Sequence, residues 1–277
     1  RPVQVSEVTL DYKDGSRLKS RTFPMYHTHH GPVTHMEGDK WVVTKINWDP
    51  VNALKQSFLR TKTDGYDAFN EMMDIRTNSS NNTVYADAQG NIAYYHGNFI
   101  PKRDPMIDYS GTVNGWDTRT DWDGTHPVDE AITLLNPPNG WIQNANSTPF
   151  TAAGDNSPKR ENYPAYMAPD KENFRAVHAI RLLEEVDDLT LDGLIHLAYD
   201  PALPAFEFII PSLVDSYDLS NQNPSFAEAI SVLDEWDHTV SADSVAMSLA
   251  HYYGMEMLQS DARPKGASRM ETYMHFF

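Results

Sequence analysis

The sequence predicts an α+β fold, with a mixed sheet first and helices appended. Short apolar runs separated by Gly-containing turns fill the first third, and apolar residues at helical spacing fill the last. Between them, residues 97–140 are rich in Gly, Pro, Asp and Asn yet hold Trp116, Trp122 and Ile132. Those three side chains call for burial, so the segment reads as a long ordered connection rather than a linker.

Val3, Val5, Val8 and Leu10 lead to Asp14-Gly15, a hairpin-turn dipeptide, and Leu18 to Tyr26 runs back. His35 and Met36 precede a second turn, Glu37-Gly38-Asp39, and Lys40 to Trp48 alternates as a further strand. Asp49-Pro50 joins an N-cap to a proline at the first helical position; Val51 to Arg60 and Tyr66 to Ile75 follow at helical spacing. A second hairpin comprises Thr83 to Asp87, the turn Ala88-Gln89-Gly90-Asn91, and Ile92 to Tyr95. The tail predicts helices over Glu172–Val186, Thr190–Tyr199 and Phe206–Tyr217, the last bending at Pro211. Two more run from Asn223-Pro224 to Trp236 and from a Ser241 cap to Leu258.

The 277 residues suffice for one large domain or two ordinary ones, and 40% hydrophobic content argues for a packed protein. A formal charge of −17 with no basic run to offset it makes nucleic acid a poor partner. Zero cysteines remove disulfides, thiolate nucleophiles and Cys-ligated metals together. No apolar run approaches the ~20 residues of a membrane span. The chain starts at Arg1 without an initiator Met and reads as a processed or excised piece of a longer protein.

The stretch Gly140-Trp141-Ile142-Gln143-Asn144-Ala145-Asn146-Ser147-Thr148-Pro149-Phe150 sets two carboxamides one residue apart. On an extended chain Asn144 and Asn146 would share one face of a strand. A carboxamide NH2 held there can donate to the oxygen that turns negative when an acyl carbonyl is attacked. The same residues equally suit the satisfaction of turn backbone. His27, His29, His30 and His35 suggest three ligands, with His27, His29 and His35 on one strand face, but no His-Glu-x-x-His helix accompanies them. Asp121 with Asp123, and Asp187 with Asp188, read as solvated turn and cap residues. No Gly-x-Ser-x-Gly elbow or phosphate-binding glycine loop is present. Phe206, Phe208, Met247, Tyr252, Tyr253, Met255 and Met257 read as core that also suits an acyl pocket.

Several stretches together resemble the β-chain of the penicillin acylase family of N-terminal-nucleophile hydrolases. They are Thr28-His29-His30-Gly31-Pro32, Val84 to Tyr94, Asp121-Trp122-Asp123-Gly124, Asn136 to Pro149, and Asn173-Phe174-Arg175 through Leu183. The block Ala152-Ala153-Gly154 to Pro164 is similar to the branch that cleaves acyl-homoserine lactones and aculeacin-type lipopeptides. The resemblance implies part of an αββα sandwich of antiparallel sheets with an appended helical region. Residues 1–185 would be the sheet-rich portion and 186–277 the helical region.

By the resemblance, Asn146 matches the carboxamide that forms half of an oxyanion hole, and Arg175 the guanidinium that orients it. Asn144 matches a neighbouring motif position, either on the substrate-binding side or structural. The implied parent is a periplasmic or secreted bacterial amidohydrolase that releases a carboxylic acid and an amine from an N-acyl amide. Its nucleophile, an N-terminal Ser, would lie outside this chain, as would the α-chain and the rest of the β-chain, leaving the piece alone inactive. Calcium is a possible ion, with Pro105 and Asp155 as loose matches; no other cofactor is implied. Two other readings stand beside this one: a non-catalytic module that binds acyl chains, and a metal-dependent hydrolase using His27 to His35.

Overall fold

A computed structural model describes residues 2–77, 81–217 and 223–276. Strands β1 (Gln4–Asp14) and β2 (Arg17–Thr28) pair antiparallel in unbroken register, from Gln4 opposite His27 to Asp14 opposite Arg17. The turn is therefore Gly15-Ser16, one residue later than the Asp14-Gly15 dipeptide suggests. Strands β3 (Gly31–Glu37) and β4 (Lys40–Val43) complete a sheet in the order β1-β2-β3-β4, with a register shift between Val33 and His35. The alternation from Lys40 to Trp48 outruns its pairing: β3 begins at Gly31, and its last bond to this segment is from Thr44 N to Pro32 O. Strand β1 is exposed along its whole length, with Val5, Leu10 and Tyr12 open to solvent.

Helix α1 (Pro50–Leu59) starts as predicted, with Asp49 Oδ1 accepting from Asn52 N at 3.3 Å. Helix α2 (Gly65–Met73) buries Phe69, Met72 and Met73 against Ala93 and Tyr95 of the second sheet. That sheet joins β5 (Thr83–Ala86), β6 (Ile92–Tyr95) and β7 (Thr133–Leu135), all antiparallel. The three-residue β7 falls inside the expected connection and is too short to betray itself by alternation. Ile132 just before it is fully buried and Trp122 is partly buried. Trp116 departs from expectation: its amide donates to Asn114 Oδ1 at a turn tip, and the indole is 94% exposed.

No strand follows Leu135 among the described residues. Helices α3 (Phe174–Glu184), α4 (Leu191–Ala198), α5 (Pro204–Ser216), α6 (Pro224–Asp234), α7 (Val245–Gln259) and α8 (Arg269–Phe276) make up the tail. Ser244 rather than Ser241 caps α7. Its Oγ accepts from Met247 N at 3.0 Å, while the Ser241 hydroxyl is used in the preceding turn by Asp243 N. The helical core gathers Ile209, Ile210, Leu233, Trp236, Ala250 and Met257, with Phe206, Met247 and Tyr253 against it. Phe208, Tyr252 and Met255 stay exposed. Antiparallel sheets before and helices after make the α+β class that the sequence predicts.

Helix α3 is the element that matters most for the site. Its Phe174 ring lies 6.0 Å from Phe208 of α5 and 6.2 Å from Tyr273 of α8. Arg181 pairs with Glu207 at 2.8 Å. These contacts hold α3 against α5 and α8.

Candidate functional site

The loop after Gly140 is not a strand. Asn146 adopts φ 57°, in the left-handed region, and sits in a bend. The expectation that Asn144 and Asn146 share one strand face is therefore corrected. Asn tolerates this backbone region better than most residues, and here the turn uses that tolerance. The conformation is held from outside: Asn173 Nδ2 donates to Ala145 O at 3.2 Å and to Asn146 O at 3.3 Å. Further along, Gln143 N donates to Ala152 O at 2.8 Å and Asn139 Nδ2 to Ala153 O at 3.0 Å. Arg160 lies over the Phe150 ring at 4.3 Å.

Asn173 is also the N-cap of α3, its Oδ1 accepting from Ala176 N at 3.1 Å. One carboxamide thus fixes the helix start with its oxygen and the loop with its nitrogen. Two residues on, Arg175 Nη2 donates to Asn146 Oδ1 at 3.2 Å. The guanidinium can only donate, so the Asn146 carboxamide must turn its oxygen toward Arg175. Its Nδ2 then faces away, and no acceptor among the described residues holds it. Both side chains are exposed. The neighbouring Ser147 is buried, so its hydroxyl is not available to a carbonyl arriving from solvent.

Asn144 takes a different route. Its Nδ2 lies 3.5 Å from the Tyr94 hydroxyl, which is 3.0 Å from His96 Nδ1, and His96 Nε2 is 3.3 Å from an Asp170 carboxylate oxygen. The carboxylate accepts, so Nε2 carries hydrogen and a neutral ring has its lone pair on Nδ1. Tyr94 then donates to His96 and accepts from Asn144, a directed chain ending on Asp170. Burial and the Asp170 charge push the Tyr94 hydroxyl above the ordinary tyrosine value, keeping it a donor. The His96 bond holds the Asp170 carboxyl below the usual carboxylate range. A depressed folded value contributes stability above the unfolded value near ~3.9, and that stability is lost as pH falls through the folded value. The carboxylate is 45% exposed, so the contribution is small. Asp170→Asn is expected to flatten the acid limb of stability below about pH 4, read by denaturant midpoints across pH.

Asn173 and Tyr94 lie in stretches that carry the family resemblance but have no role assigned from sequence, and His96 and Asp170 are not singled out there at all. Tyr94 and His96 were detectable as polar-tipped residues two apart at the end of an apolar strand. The histidines separate: the β2–β3 turn splits His27 from His29 and His30, and exposed His35 bonds Glu37 at 3.3 Å. The one-face arrangement of His27, His29 and His35 is thus not formed. Among the described residues, the His and acidic side chains close enough to share an ion are His29, His30 and Asp121. Asp123 is not in that group, and neither is Asp155, which is exposed, as is Pro105. Surface depressions occur beside Arg60 and Asp87 and beside Trp141 and Asp155; neither is lined by Asn146.

A family model described as penicillin amidase matches residues 1–274. A penicillin G acylase from Escherichia coli is 28% identical over 202 residues, covering 67% of this chain and 21% of that protein. Among solved structures, a thermostable penicillin G acylase from Alcaligenes faecalis superposes with a TM-score of 0.69 at 20% identity, covering 95% of this chain and 48% of that one. At that identity the likeness is one of fold alone. The chain spans less than half the length of either relative.

Proposed function

This chain belongs to the penicillin amidase family, and from that membership we propose that it is the oxyanion-binding part of an N-acyl amide hydrolase. The complete protein would release a carboxylic acid and an amine from acyl-homoserine lactones, lipopeptides or penicillin-type substrates. In the proposed reaction an N-terminal Ser, supplied from outside these residues, adds to the amide carbonyl. The carbonyl oxygen becomes anionic, Asn146 Nδ2 donates to it, the amine leaves, and water hydrolyses the resulting acyl-enzyme.

The observation that supports this reading is the 3.2 Å bond from Arg175 to Asn146 Oδ1. It presets the carboxamide with its N–H groups outward, and the guanidinium draws electron density from them. A neutral donor needing no rearrangement at the moment of attack is what transition-state stabilisation requires. Such donors act most strongly where water is excluded. The proposal therefore has a neighbouring surface covering the exposed pair in the complete enzyme. Asn144, anchored through Tyr94, is proposed to line the substrate side of the same loop. No cofactor enters these steps, and calcium with Pro105 and Asp155 stays outside them. Residues 1–185 are proposed as the sheet-rich unit and 186–277 as its helical extension, in a periplasmic or secreted enzyme.

Amine release from N-phenylacetyl and N-acyl-homoserine lactone substrates tests the proposal. Turnover by the complete protein, and none by the 277-residue chain alone, is the expected result. Turnover by the isolated chain, or no amide cleavage by the complete protein, would overturn it.

A further inference from the structure

The β2–β3 turn carries a constellation for which the amide-hydrolase reading has no use. Thr28 Oγ1 accepts from His30 N at 3.1 Å and fixes the turn. Gly31 has φ 142°, and a Cβ there would stand 2.2 Å from the Thr44 carbonyl oxygen, so only glycine lets the turn close against the strand beside it. The turn sets the His29 and His30 rings 3.8 Å apart by centroids. Facing them is Asp121, which ends the 3-10 turn Thr118–Thr120. One nitrogen from each histidine and one Asp121 oxygen lie within 4.8 Å of one another.

The orientation of His30 gives this cluster its meaning. Its Nε2 is 2.9 Å from the Gly115 carbonyl, which can only accept, so Nε2 carries hydrogen. The other ring nitrogen, Nδ1, then faces Asp121 Oδ1, 3.4 Å away. That distance is long for an N–H···O bond. It matches the separation that two ligands have on a tetrahedral ion with bonds of ~2.0–2.1 Å, about 3.4 Å. A backbone carbonyl behind the far nitrogen is the usual support of a metal-bound histidine. Gly115 keeps that support close, since a Cβ there would meet His30 Nε2 at 3.3 Å.

We propose that His29, His30 and Asp121 bind one divalent transition-metal ion of the zinc class, and that the ion fastens the β1–β4 sheet to the 97–125 segment. Two imidazoles and one carboxylate suit zinc better than magnesium or calcium, which take oxygen. A fourth position remains for water. His29 is exposed, and its ring nitrogen already lies within 4.8 Å of the ligand atoms of His30 and Asp121. The ion would join points 91 positions apart (121 − 30). Nearby, Lys45 Nζ lies over the Trp122 ring at 4.7 Å, a second link along the same seam. The role is structural, and it is independent of the proposed reaction.

Calorimetric titration of chelator-treated protein with zinc chloride tests this, alongside His29→Ala, His30→Ala and Asp121→Asn. The expected result is one zinc per chain, weakened at least tenfold in each variant. Zinc should raise the melting temperature of the parent protein but not of the variants. Cobalt(II) should give the visible absorption of a tetrahedral site, absent in Asp121→Asn, whose isosteric side chain leaves the fold intact by circular dichroism. No saturable uptake, or uptake unchanged in Asp121→Asn and His29→Ala, would overturn the proposal.

Discussion

Replacing Asn146 with Ala in the complete enzyme is expected to lower kcat by about 10²–10³-fold, some 3–4 kcal/mol of barrier, with KM nearly unchanged. The size follows from where the donor acts. In the proposed reaction the ground-state carbonyl asks little of Nδ2, whereas the tetrahedral oxygen carries a full charge, so the lost bond would be lost mainly from the transition state. Asn146 is exposed and its Oδ1 takes one bond from Arg175, so truncation leaves no buried group unpaired and the fold should survive. Asn146→Asp separates donor loss from shape loss: it keeps the volume and the Arg175 contact but sets an anion against the forming oxyanion. Its kcat should fall at least as far as that of Asn146→Ala. Steady-state rates on an N-acyl amide, with circular dichroism as a folding control, read both. A kcat within a few-fold of wild type for either variant would remove Asn146 from the reaction.

How much of this was legible beforehand divides by the range of the interaction. Local chemistry was readable: Asp49-Pro50 starts α1, Thr190 caps α4, and the two hairpins lie within a residue of their expected turns. Features set by distant partners were not. The 144–146 segment reads as extended, but Asn173, 27 residues later, claims two consecutive carbonyls and pulls Asn146 into a left-handed bend. Strand β7 exists because β6 offers it an edge, and nothing in Thr133-Leu134-Leu135 alone announces that. The histidines share the lesson. Strand alternation pairs His27 with His29, but the turn breaks the alternation at Thr28 and brings in Asp121 from the middle of the chain. The contact between Asn146 and Arg175 was foreseen only through family resemblance, since no periodicity relates a loop residue to a helix 29 positions on.

Asn173→Ala is expected to be the most costly change among residues that cannot touch substrate, because it breaks the joint between α3 and the loop. Loss of the cap costs about 1 kcal/mol. Loss of the bonds to the Ala145 and Asn146 carbonyls adds about 0.5–1.5 kcal/mol each, less where water replaces the donor. A total near 2 kcal/mol should appear as a lower denaturant midpoint at unchanged slope. Activity should fall about tenfold as well, since a displaced Asn146 misses the forming oxyanion by a fraction of an ångström. Asn173→Asp divides the two roles. An aspartate oxygen caps Ala176 N as well as asparagine does, and its charge suits a helix N-terminus. Facing two carbonyls, however, it can only repel. Stability should therefore recover in part while kcat stays low. If Asn173→Asp restores both, the loop is held by something other than Asn173 Nδ2, and the geometry assigned to Asn146 loses its support.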